Sequence, residues 1–240
     1  MDSNDTTTTD LPLAERAYRS LRQAIVRCEF EPGQRLRVDE LSRRYDVSSS
    51  PVREALSRLS ERGLVRALDN RGFRVAPLSA EGIADLTRVR LLVECEALRE
   101  SMERGDDAWE ADIVAAAHSL GRVEQRMGPG PLALDNDWSE RHRAFHLALY
   151  GGCRSPLLSQ MVVELFDAAE RYRRFSALHR VVDRHKHAEH QQIMAAVLTR
   201  DIDTALDLFR KHILGTERLV TQALGAMELA SAGASAGASA

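Results

Sequence analysis

Four histidines carry the chemistry most open to this chain. His142 and His146 are four residues apart, so on a helix their imidazoles leave the same face one turn apart. Phe145 and Leu149 lie close by and turn that face toward an interior. His190 falls among Ile193, Met194 and Val197, and His212 among Leu208, Phe209 and Ile213, each on a further helical stretch. Ring nitrogens brought together from three helices could hold a divalent ion, because neutral imidazole suits Zn, Ni, Co, Cu or Fe. Hydrogen-bonded core histidines meet the same spacing, and four of eight histidines on apolar faces can arise by chance. Spacing alone leaves both readings open. A hydrolytic metal centre gains no support, since neither HExxH nor a Glu-x-x-His pair occurs.

The second chemistry is recognition of a polyanion. In Val47-Ser48-Ser49-Ser50-Pro51-Val52-Arg53-Glu54-Ala55-Leu56, Ser50 is a competent N-cap and Pro51 fits the first helical position, where a missing N–H costs nothing. Val52, Leu56, Leu59 and Leu64 give an apolar stripe, which leaves Ser48, Ser49, Ser50 and Arg53 facing outward from the helix start. A recognition helix meets base edges and phosphates in that way. The preceding Leu36 to Tyr45 predicts a short helix with Leu41 inward and arginines outward. Beyond the stripe, Leu64 to Leu68 and Phe73 to Val75 flank Asp69-Asn70-Arg71-Gly72, a strand-turn-strand wing with an arginine at its tip.

Charge supports this division. Leu11 to Val75 holds 14 arginines against nine acidic residues, a surplus of five, so with −3 overall the rest of the chain carries −8. Lys186 and Lys211 are the only lysines, and the basic charge is therefore almost all guanidinium. A genome-wide preference for arginine codons accounts for that bias as well as function does. At 44% hydrophobic content the 240 residues suffice for one large or two small folded units. No run approaches the roughly 20 apolar residues of a membrane span, and the acidic, polar start lacks the character of a signal peptide, so a cytoplasmic protein is expected. Cys28, Cys95 and Cys153 form no CxxC pair and read as free thiols.

The elements that must position these residues follow from the punctuation of the chain. Residues 1–10 are expected to be a disordered tail, with Asp10 capping a first helix in which Leu13, Ala17, Leu21 and Ile25 recur at helical spacing. A winged helix-turn-helix unit is expected over 11–77. From 78 to 228 no strand alternation appears, and six helices are expected near 80–104, 107–127, 136–150, 156–176, 180–199 and 202–225, bounded by Gly105, Gly128 to Pro131, Gly151-Gly152, Pro156 and Asp201. Residues 229–240, a Ser-Ala-Gly repeat, are expected to be a flexible tail. The fold class is thus mainly α: an N-terminal winged helix-turn-helix domain with a small β-wing, then an all-α six-helix bundle.

The stretch from Ala14 to Val75, with Pro32-Gly33, Val47-Ser48-x-x-Pro51-Val52-Arg53-Glu54-Ala55-Leu56 and Arg71-Gly72, resembles the winged-helix domain of GntR-type bacterial transcription regulators. The resemblance implies that Ser48, Ser50 and Arg53 contact DNA at the recognition helix, and that Arg71 and Gly72 enter the minor groove. Ser49 stands where many members carry an arginine, and Asp39 where some carry another, so the operator sequence is not implied. Phe145-His146-x-x-Leu149, Glu189-His190-x-x-Ile193 and Asp201-Ile202-Asp203-Thr204-Ala205 running to Arg210-Lys211-His212 are similar to the FCD ligand-binding domain of the FadR subfamily. That likeness implies a metal held by His142, His146, His190 and His212, zinc first, with nickel, cobalt, iron or copper as alternatives. His142 departs from the subfamily's usual aspartate, which removes a negative charge and favours a more nitrogen-loving ion. His118, His179, His185 and His187 lie on none of these motifs. Arg90 and Glu94 match the first helix of the effector domain, where the arginine lines the pocket; an exposed i,i+4 salt pair is the alternative. Strings such as His142-Arg143-Ala144-Phe145-His146 look like the carbon-starvation regulator branch, which responds to small dicarboxylates such as glutarate. The expected protein is a homodimeric repressor, not an enzyme, with a double-stranded DNA operator and a small mono- or dicarboxylate effector as partners and no membrane. A metal-sensing regulator on the same scaffold is the first alternative, and a His-ligated metalloenzyme the second.

Overall fold

The computed structural model describes residues 11–68, 71–126, 136–179 and 186–237, and the chain divides into two compact units, Met1–Leu78 and Ser79–Ala240. Asp10, the Asp69-Asn70 turn, the Gly128 to Pro131 stop and His185 lie outside the described residues, as does the expected 1–10 tail.

In the first unit, α1 (Leu13–Val26) buries Ala17, Leu21, Ala24 and Ile25. Leu13, expected in that stripe, is 47% exposed at the helix start. After β1 (Arg35–Leu36), α2 (Val38–Tyr45) buries Leu41 and ends at Asp46 in the left-handed conformation (φ 51°), which a short polar side chain tolerates. Helix α3 (Ser49–Glu61) packs on α1 through Val52, Ala55, Leu56 and Leu59. Its N-cap is Ser48 and not Ser50, so Pro51 is the third helical residue. The N–H that proline lacks is still one of the first four with no intrahelical acceptor, so the helix tolerates it there. Strands β2 (Val65–Leu68) and β3 (Gly72–Val75) complete an antiparallel sheet in the order β1-β3-β2. Leu36, Val65 and Val75 are buried with the helices, and Phe73 packs against the same cluster. Gly72 sits at φ 87°, a backbone state that a side chain would strain, where the wing turns into β3.

The second unit is helical throughout its described residues: α4 (Ala80–Arg104), α5 (Asp107–Arg126), α6 (Asn136–Leu149), α7 (Pro156–His179), α8 (Lys186–Leu198) and α9 (Ile202–Gly237). Ser79 caps α4 by accepting from the Gly82 N–H at 3.0 Å. Helix α9 packs on α4, α7 and α8, while α5 packs on α6 and α8. Trp138, Phe145, Ile113, Leu120, Val197, Phe209 and Ile213 form the shared core. The turn after α6 presses on the end of α4, since a Cβ on Gly152 would meet the Ser101 carbonyl oxygen at 2.7 Å. Helix α9 runs to Gly237, past the point where the Ser-Ala-Gly tail was expected to leave it. Alanine has the highest helix propensity and recurs through this segment, so the helix propagates across its isolated glycines. No helix among the described residues is long and apolar enough to cross a membrane.

Candidate metal centre and nucleic-acid interface

The bundle brings His142, His146, His190 and His212 together. Helix α6 supplies the first two from one face, α8 supplies His190 and α9 supplies His212. One ligand atom from each lies within 4.8 Å of all the others. Two nitrogens on one ion at about 2.0–2.2 Å each can stand no more than about 4.4 Å apart. The widest separation therefore has to close by a few tenths of an ångström to become a trans pair, and by more than an ångström to reach the roughly 3.4 Å edge of a tetrahedral zinc shell. All four rings are buried, His212 the least at 5% exposed. Trp138 stacks on His142 with ring centroids 4.4 Å apart, and Phe166 lies against His142 and His146 at 5.6 and 5.3 Å.

Protonation and tautomer suit a cation. Burial pushes His146 well below the ordinary histidine range, with the other imidazoles at His212 and His190 and the guanidiniums of Arg173 and Arg90 adding to it. A neutral ring can ligate where an imidazolium cannot. Both ring nitrogens of His146 are buried without a hydrogen-bond partner. In a protein core such groups cost about 1–3 kcal/mol each unless something satisfies them. A bound ion is the occupant that their chemistry fits. Two carboxylates stand behind the rings: Glu189 Oε2 is 2.7 Å from His212 Nδ1, and Glu124 Oε1 is 3.4 Å from His190 Nδ1. A carboxylate at Nδ1 leaves Nε2 as the donor and raises its basicity. Trp138 Nε1 donates to the same Glu124 oxygen at 3.4 Å, which ties the stacked indole to the cluster.

Sequence reasoning named the four rings but missed Glu124, Glu189, Trp138 and Arg173. Glu189 adjoins His190 in sequence yet pairs with His212, and no spacing rule indicates that exchange. Of the remaining histidines, His118 is exposed and His179 bonds the Phe175 carbonyl oxygen through Nδ1 at 2.8 Å, so neither joins the cluster; the His187 side chain lies outside the described residues.

Arg90 and Glu94 are not an exposed salt pair. Arg90 Nε and Nη2 donate to the two Glu94 oxygens at 2.6 and 3.1 Å, and Tyr150 donates its hydroxyl to Glu94 at 2.8 Å, with every partner buried. Arg173 donates to Glu170 at 3.0 Å and to the Phe166 carbonyl oxygen at 2.9 Å, with its guanidinium 4.0 Å over the Phe166 ring. Both arginines are close enough to His146 for their charge to bear on it.

In the first unit, Ser48, Ser49, Ser50 and Arg53 are all exposed around the start of α3, and Arg71 and Gly72 are exposed at the wing. The buried α3 face fixes which way these residues point.

Comparison with known proteins places both units. The model of "Bacterial regulatory proteins, gntR family" matches residues 13–75, and that of the FCD domain matches residues 85–215. The HTH-type transcriptional repressor GlaR of Escherichia coli (strain K12) is 40% identical over 212 residues, covering 86% of this chain and 95% of its own. The uncharacterized HTH-type transcriptional regulator BphR of Paraburkholderia xenovorans (strain LB400) is 38% identical over 210 residues, 88% of this chain and 86% of its own. Among solved structures, a putative transcriptional regulator GntR from Rhodococcus sp. RHA1 superposes with a TM-score of 0.66 at 26% identity, covering 89% of this chain and 98% of that one. E. coli McbR/YncC reaches 0.72 at 18% identity over 88% and 98%, a likeness of fold. These relatives are regulators and not enzymes. The chain belongs to the gntR family of bacterial regulatory proteins and is a DNA-binding transcription regulator whose second unit is an FCD domain.

Proposed function

We propose that this regulator is a dimeric repressor whose FCD unit holds a divalent ion on His142, His146, His190 and His212, and takes a small mono- or dicarboxylate beside it, releasing the operator. The convergence of four buried imidazoles within 4.8 Å supports this reading most strongly. The ion would supply a fixed positive charge for the acid's carboxylate. Arg90 would add a second anchor: its two bonds to Glu94 use two of the five N–H groups of a guanidinium, and Glu94 holds the remainder in orientation. Ser48, Ser49, Ser50 and Arg53 would read the major groove, with Arg71 and Gly72 at the minor groove.

Ion identity decides between effector sensing and metal sensing. Four protein nitrogens fill a tetrahedral zinc completely, as in closed structural sites. An ion that prefers six positions keeps two for a chelating carboxylate. The closed four-ligand count therefore favours the alternative, in which the ion itself is the signal, when zinc is bound. Operator affinity measured for the chelated, zinc-loaded and nickel-loaded protein, each with and without candidate acids, separates the two. An acid that lowers operator affinity tenfold must itself bind tenfold more weakly to the operator complex, a coupling of about 1.4 kcal/mol. Equal acid affinity for free and operator-bound protein would refute the release mechanism, and switching by metal alone would establish the metal sensor.

A further inference from the structure

The strand register aligns three arginines that neither the recognition helix nor the wing tip accounts for. Arg35 of β1 pairs with Arg74 of β3, and Arg74 pairs with Arg66 of β2, so the three stand side by side across all three strands. Directly opposed residues share a face of a sheet. Here Leu36, Val65 and Val75 occupy the inner face, and the arginines occupy the outer one, where all three are exposed. Neighbouring strands are about 4.8 Å apart. Three arginine side chains thus leave the sheet along a row of about 10 Å. None is ion-paired with a carboxylate among the described residues, whereas Arg37, Arg44 and Arg58 of the same unit are. Two are braced on backbone instead: Arg74 Nη1 donates to the Gly33 carbonyl oxygen at 2.9 Å, and Arg35 Nη2 to the Arg71 carbonyl oxygen at 3.4 Å.

Like charges directly opposed across strands destabilise a sheet. The row therefore works against the fold that displays it, and no carboxylate among the described residues offsets it. We propose that Arg35, Arg66 and Arg74 form a phosphate-binding strip that clamps the backbone of the operator duplex. One DNA strand advances about 3.4 Å per phosphate along the helix axis while turning around it, so a row of about 10 Å reaches roughly two or three phosphates. Continuity with the wing favours DNA over an acidic protein surface, since the Arg35 guanidinium rests on the carbonyl of Arg71 at the wing itself. Contacts of this kind fix position and contribute affinity without reading sequence.

The test is the salt dependence of operator binding in the full-length protein carrying R35Q, R66Q and R74Q, compared with R66Q alone. The single variant removes no bond to a backbone carbonyl, which guards against a loss caused by misfolding. Each phosphate contact contributes about 0.9 to the slope of log affinity against log salt, so the triple variant should be shallower by up to about 2.7 and R66Q by about one. A fourfold rise in salt would then weaken the wild type up to about 40-fold more than the triple variant. The ratio of operator to random-sequence affinity should stay constant, and the melting temperature should hold or rise as the opposed charges disappear. Unchanged slopes in both variants overturn the proposal, as they would if the strip instead met an acidic protein. A changed operator-to-random ratio at constant slope would assign the row to base reading and also overturn it.

Discussion

Replacing His146 by phenylalanine should separate the metal reading from ordinary core packing. His146 is 1% exposed, neither ring nitrogen has a hydrogen-bond partner, and its neighbours include the rings of Phe145, Phe166 and Phe209. Exchanging unsatisfied polar atoms for apolar ones of similar shape is nearly neutral or stabilising, whereas leaving them buried costs about 1–3 kcal/mol each. In chelator, His146→Phe should therefore unfold no earlier than the wild type. With free zinc or nickel at 100 times its dissociation constant, the wild type should gain about 2.7 kcal/mol. For a unit of this size, 1 kcal/mol moves a melting temperature by about 2–4 °C, which gives roughly 5–11 °C for the FCD transition. All four ligands belong to the second unit, so the winged unit's transition should stay in place. Calorimetry of the full chain with chelator and with each ion resolves both. A metal shift that survives in His146→Phe, or the absence of any shift in the wild type, refutes the four-histidine centre; a marked loss of stability in chelator makes His146 a packing residue instead.

Chelated protein should lose stability as pH falls below the unfolded histidine value of about 6.5, because burial holds His146 well below it and only the unfolded chain takes up the proton there. The contribution is complete above that pH and declines toward the depressed folded value at up to about 1.4 kcal/mol per pH unit, a slope that His146→Phe should reduce in denaturant titrations run at successive pH values. Arg90→Ala should destabilise the protein by about 3–5 kcal/mol, since it leaves Glu94 buried with Tyr150 as its hydrogen-bond partner; Arg90→Met with Glu94→Leu should recover most of that loss, and chemical denaturation of the three proteins checks the order. Arg53→Ala should weaken operator binding by about 1–3 kcal/mol and relax specificity if Arg53 reads a base, or lower the salt slope by about one if it holds a phosphate, and unchanged affinity at every salt concentration removes it from the interface.

Where the chain is punctuated by residues that permit one backbone outcome, its sequence was enough to place the elements. Gly105, Gly151-Gly152, Pro156 and Asp201 fall at the observed ends of α4, α6, α7 and α9, and the cluster was legible because an i,i+4 pair and two single histidines each sit on an apolar helical face. Degenerate signals misled it. Three consecutive serines can each cap a helix, so choosing Ser50 over Ser48 displaced the start of α3 by two residues. Alanine and glycine pull in opposite directions beyond Glu228, and there the helix prevailed. What stayed hidden depends on how elements rotate against one another. Glu124 meets His190 only because α5 packs on α8, and the arginine row exists only in one register, between residues up to 39 positions apart.

Helix α7 shows what that blindness conceals about function. In sequence, Glu170-Arg171-Tyr172-Arg173-Arg174 has the composition of a solvated face, yet Glu170, Arg171, Arg173 and Arg174 are all buried. With Arg90 and Glu94 of α4, the two helices bury four guanidiniums against two carboxylates. Glu170 is shared, accepting from Arg173 at 3.0 Å and from Arg174 at 2.8 Å, and these neighbours hold it below the ordinary carboxylate range against the opposing effect of burial. Four imidazoles bring no negative charge of their own to a divalent ion, and the carboxylates beside them, Glu124 and Glu189, face His190 and His212 from the Nδ1 side. Buried charge of one sign is tolerated only when something compensates it. An all-histidine centre therefore leaves more of the ion's charge for an anionic occupant than a carboxylate-containing set would. The corresponding test is His142→Asp, which returns one negative charge to the cluster: it should keep metal binding while weakening any acid held there, and tighter acid binding in that variant would show that the ion's charge does not hold the acid.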